Sequence, residues 1–92
     1  MYRVLVVDDE KLERDGIRFL LSMEEGEWEI YEAANGKLAL NELRKHPVDL
    51  MLTDIKMPHM DGLETAAALR KRGDNTCLIF ITSMAQYALK GY

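Results

Sequence analysis

Hydrophobic and polar positions along the chain follow two alternating rhythms. Val4-Leu-Val-Val7, Leu50-Met-Leu52 and Leu78-Ile-Phe-Ile81 are short, continuous apolar runs. Runs of that length suit strands buried on both faces. Between them, apolar residues recur at helical spacing. Leu12, Ile17, Leu20 and Leu21 predict a helix from about Lys11 to Met23, closed by Gly26. Trp28-Glu-Ile-Tyr-Glu-Ala33 alternates only partly, as expected of a half-exposed edge strand. Asn35-Gly36 turns into a second helix, which Leu38, Leu40 and Leu43 would pin to the core and which ends near His46-Pro47. Asp61 and Glu64 have the spacing to cap a third helix from about Gly62 to Arg72, broken by Gly73-Asp-Asn75. Ala85 to Tyr92 opens a fourth helix.

The resulting order, βαβαβαβα, predicts an α/β fold: a doubly wound parallel sheet with right-handed crossovers and helices on both faces. The most polar strand, at Trp28, belongs at an edge, which favours the strand order 2-1-3-4. That order puts the ends of strands 1 and 3 side by side at the point where the winding reverses, where such sheets bind ligands. Strand 1 runs into Asp8-Asp9, and strand 3 into Asp54. A single aspartate at a strand end is most simply a helix cap. Three converging on one crevice repel one another, so a cation must bind there or some must stay protonated. All-oxygen ligands in a small open site favour Mg²⁺. With charge offset in this way, Asp54 could attack a phosphoryl group to give an acyl phosphate, and the hydroxyl of Thr82, closing strand 4, could reach a phosphoryl oxygen.

Composition narrows the setting. Ninety-two residues, 48% hydrophobic and 30% charged, make one small globular domain. The apolar runs are too short to span a membrane, and the N-terminus lacks the pattern of a signal peptide. A single cysteine, Cys77, cannot form an internal disulfide, which suits a reducing cytoplasm. It opens the fourth strand and is expected to be a small core residue. The net charge of −4 and pI near 5.1 argue against nucleic-acid binding by this segment itself.

Val6-Val-Asp-Asp-Glu10, Leu52-Thr-Asp-Ile-Lys-Met-Pro-His-Met-Asp-Gly62 and Ile81-Thr-Ser83, in this order and spacing, resemble the receiver domain of two-component response regulators. The likeness covers essentially the whole chain and implies the flavodoxin-like receiver fold. It implies Asp54 as phospho-acceptor and Asp9 as a direct Mg²⁺ ligand. Asp8 would bind mainly through water, and the backbone carbonyl of Lys56 would complete the protein ligands. Thr82 matches the switch hydroxyl. The implied phosphodonor is a sensor histidine kinase, and the implied partner an output domain outside this chain. The final Tyr87-Ala-Leu-Lys-Gly-Tyr92 is similar to helix 4 of regulators with LytTR-type DNA-binding domains. The family pattern continues with a fifth strand ending in Lys-Pro and a fifth helix, so residues 1–92 read as a receiver incomplete at its C-terminus, and labelling is expected to be slow or undetectable without that lysine. Neither Lys56 nor Lys90 is spaced to replace it.

Two other readings stay open: a small Mg²⁺-dependent phosphohydrolase with an aspartyl nucleophile, and a receiver-like interaction domain that is not phosphorylated. The interaction domain is the poorer of the two; against the hydrolase, that family's nucleophile belongs in an Asp-x-Asp after the first strand, whereas Asp54 follows the third. His46 and His59 are expected on solvated turns. Met51, Met57, Met60 and Met84 are expected to pack rather than react, and Arg70, Lys71 and Arg72 to form a solvated helix end favoured by the helix dipole. An apolar fourth strand at a sheet edge predicts self-association, by strand 4 pairing or exchange of helix 4.

Overall fold

A computed structural model describes residues 2–55 and 60–81. Lys56, Met57, His59, Thr82, Met84, Lys90 and the expected fourth helix lie outside the described residues. The elements are β1 (Tyr2–Val7), α1 (Lys11–Ser22), β2 (Trp28–Ala33), α2 (Gly36–Lys45), β3 (Leu50–Thr53), α3 (Gly62–Lys71) and β4 (Cys77–Phe80). All strand pairs are parallel, in the order β2-β1-β3-β4. Both the polar edge strand and the reversal between β1 and β3 are therefore as the sequence predicts.

β1 holds the two sides of the core together, because successive side chains of a strand point to opposite faces. Leu5 and Val7 join Ala33, Ala39, Met51 and Leu69 on the face covered by α2 and α3, with Leu40, Leu43 and Leu78 packed alongside. Val4 and Val6 join Leu52 on the other face, against Ile17 and Leu21 of α1. All four β1 residues from Val4 to Val7 are buried. The helix starts also follow from local chemistry. Asn35 accepts the Leu38 N–H at 2.9 Å, and Asp61 and Glu64 form a reciprocal capping box.

Several expectations are corrected. Leu38 is 46% exposed, and Ala39 takes the buried place on α2. On α1, Leu12 and Leu20 face outward, so only part of its apolar stripe is covered. Cys77 is exposed rather than in the core. The run expected to be fully buried alternates instead, with Leu78 inward and Ile79 outward, because among the described residues β4 is an outer strand and no helix covers its α1 side. His46 is not simply solvated: its ring stacks on Tyr31 at 4.3 Å and its Nε2 lies 3.8 Å from Glu42. Arg70 donates to the carbonyls of Asp74 and Thr76, closing the turn after α3.

Candidate metal and phosphoryl site

β1 and β3 run side by side, with Val7 opposite Thr53. The pairing continues one residue further, where the Asp54 N–H donates to the Val7 carbonyl at 3.0 Å. Asp8 is held in turn to β2, its N–H donating to the Ala33 carbonyl at 3.1 Å. These two bonds bring the acidic strand ends together. One carboxylate oxygen from each of Asp8, Asp9 and Asp54 can be chosen so that all three lie within 4.8 Å of one another. Asp8 is buried, Asp54 half-buried and Asp9 exposed, so the cluster opens to solvent on one side.

Its electrostatics are unfavourable without a counter-ion. Burial pushes the Asp8 carboxyl up from 3.8 to about 6; the Glu10 N–H on Oδ1 acts against that rise, and the charges of Asp54, Glu13 and Asp9 add to it. Hard oxygen donors, converging and partly desolvated, are the donor set that a small divalent cation such as Mg²⁺ accepts.

The turn below Asp54 is built for close approach. Asp54 accepts the Ile55 N–H on Oδ1 at 2.8 Å, and the Ile55 carbonyl accepts the Gly62 N–H at 2.8 Å. A β-carbon on Gly62 would run into the Asp54 carbonyl oxygen and lie 3.1 Å from the Ile55 Cα. Only glycine lets the start of α3 sit this near the acidic residue. Met60, whose carbonyl accepts the Gly36 N–H, has φ of 90°, a sparsely populated conformation for a residue with a side chain.

Asp8, Asp9 and Asp54 are thus brought together as the sequence predicts, whereas Lys56 and Thr82 fall outside the described residues. The sequence reading missed Arg14. Its Nη1 donates to the Asp8 carbonyl at 2.7 Å, and its Nε to Glu32 Oε1 at 3.0 Å. Its one signal was position, on the helix that begins two residues after the aspartate pair.

A sequence profile of the response regulator receiver domain matches residues 4–91. The chain belongs to the response regulator receiver family. The sensory transduction protein LytT of Bacillus subtilis (strain 168) is 37% identical over 92 residues, which is 100% of this chain and 38% of LytT. The nitrate/nitrite response regulator NarP of Escherichia coli (strain K12) is 36% identical over 81 residues, 88% of this chain and 38% of NarP. The receiver therefore spans under two-fifths of the length of these relatives. Among solved structures, response regulator TrrA of Thermotoga maritima, in complex with Mg²⁺ and BeF, has a TM-score of 0.86 and 36% identity, covering 99% of this chain and 77% of that one. These relatives are response regulators, proteins of signalling. Among the described residues, no helix of this receiver is long and apolar enough to cross a membrane.

Proposed function

We propose that this receiver accepts a phosphoryl group on Asp54 from a sensor histidine kinase, with Mg²⁺ held by Asp8, Asp9, Asp54 and the Lys56 carbonyl. The observation that carries the proposal is the convergence of three carboxylates, from the ends of two adjacent parallel strands, within 4.8 Å. Bound there, Mg²⁺ would neutralise the carboxylates and the phosphoryl oxygens, letting two anions approach. An Asp54 carboxylate oxygen forms the new bond to phosphorus, the phosphorus–nitrogen bond of the donor histidine breaks, and its imidazole departs with the electron pair and takes up a proton. The Ile55 N–H holds the other Asp54 oxygen and so fixes which one faces the donor. Thr82 would bind a phosphoryl oxygen after transfer and pass the change to an output domain of DNA-binding type, in a cytoplasmic two-component pathway.

Prolonged incubation with acetyl phosphate and Mg²⁺, read by intact mass, tests this. The expected result is a single adduct, absent with a chelator and absent in Asp54→Asn. Rapid phosphate release with turnover would favour a hydrolase, and an adduct that survives Asp54→Asn would refute the assignment. Among the described residues β4 is an outer strand, and the exposure of Ile79 and Ile81 supports self-association there. Sedimentation as a clean monomer at tens of micromolar would refute that part.

A further inference from the structure

We propose that Arg14 is a positioning residue for the cation site, acting through the backbone carbonyl of Asp8; this rests on the reading of Asp8, Asp9 and Asp54 as Mg²⁺ ligands. All three polar groups of Asp8 are held. Its N–H donates to Ala33 of β2, its carboxylate accepts from the Glu10 N–H, and its carbonyl accepts from Arg14 Nη1 at 2.7 Å. The carbonyl matters most. The torsion that aims the Asp8 carbonyl also sets the direction in which the chain leaves for Asp9. Holding that oxygen therefore fixes the second carboxylate relative to the first.

Arginine suits the task because its donors form a rigid planar fork. One branch takes the Asp8 carbonyl, and Nε takes Glu32 Oε1 at 3.0 Å. Glu32 lies on β2 opposite Val6, one residue before the strand end that holds Asp8. The fork thus ties the first turn of α1 to the ends of both β1 and β2. Glu32 shares its single negative charge between Arg14 and Arg18, so Arg14→Lys, which keeps the charge, is the variant that separates geometry from positive potential. Arg18 provides an internal comparison: it also reaches Glu32, at 3.3 Å, but has no bond to Asp8. Lysine at position 14 would keep the charge and lose the two-pronged hold.

Titration calorimetry with Mg²⁺ on the wild-type chain, Arg14→Lys, Arg14→Met and Arg18→Gln tests the inference. Loss of an outer support of a metal ligand weakens binding about 10-fold or more. Both Arg14 variants should show that rise in Kd, while Arg18→Gln binds as wild type. Labelling of Asp54 should recover in the Arg14 variants once Mg²⁺ is saturating. A role confined to folding would lower the melting temperature in chelator and leave Kd unchanged in Arg14→Lys. Unchanged Mg²⁺ affinity in both Arg14 variants, with wild type binding normally, overturns this inference alone. Absence of Mg²⁺ binding by wild type overturns the metal reading and this inference with it.

Discussion

Replacing Asp8 with asparagine should make the metal-free protein more stable at neutral pH, although it removes a candidate ligand. In the folded chain burial raises the Asp8 carboxyl from 3.8 to about 6. A carboxyl raised in this way contributes its full stability below its unfolded value, and the contribution is lost as pH rises through the folded value. With each pH unit worth about 1.4 kcal/mol, the charged form costs the fold about 3 kcal/mol above pH 6. Asparagine carries no charge, and its Oδ1 can still accept the Glu10 N–H that Asp8 accepts at 2.9 Å. Asp8→Asn should therefore gain about 2–3 kcal/mol at about pH 8 in chelator, and the gap should shrink as pH falls through about 6 toward about 4, where Asp8 of the folded chain is neutral as well. Urea unfolding of both proteins across that range, with EDTA present, measures it. A destabilised variant at the upper pH, or a gap that does not vary with pH, would refute the reasoning.

Asp9→Ala should abolish most of the rise in melting temperature produced by millimolar Mg²⁺, because that rise is mass action on the folded state; differential scanning fluorimetry with and without the ion reads it. Gly62→Ala should cost about 1–3 kcal/mol by forcing a methyl group into the Asp54 carbonyl, measured by urea unfolding, and should weaken Mg²⁺ binding as Asp54 shifts. Asp61→Ala removes the cap on the Glu64 N–H, which lies at 2.8 Å. The expected loss is about 0.5–2 kcal/mol, with faster amide exchange confined to the start of α3.

Much of this site was legible in the sequence because strands announce themselves strongly. Three apolar runs and one polar run were enough to order the sheet, and the order alone set Asp8 and Asp9 beside Asp54. The readings that failed depended on neighbours the pattern does not name. Leu38 has the spacing of a core residue, yet the smaller Ala39 fits the close contact of α2 with the sheet. Cys77 begins an apolar strand but lies toward solvent, as Ile79 does. His46 looks like a turn residue until Tyr31, on a different element, presents its ring. Arg14 was missed for a similar reason. Its partners are a backbone carbonyl and a glutamate on β2, contacts that leave no trace in periodicity.

The pairing of β1 with β3 also has a kinetic side. Two helices and a strand separate these segments in the chain, so their meeting closes a long loop, the slow kind of step in parallel sheets. Until it closes, Asp54 is far from Asp8 and Asp9, and no intermediate made of neighbouring elements alone can hold all three. An ion that finds its ligands only after that closure stabilises the native side of the barrier alone. It prolongs the life of the folded chain and leaves the speed of folding where it was. Unfolding slowed by Mg²⁺, with an unchanged refolding limb, would date the birth of the site to the last stage of assembly.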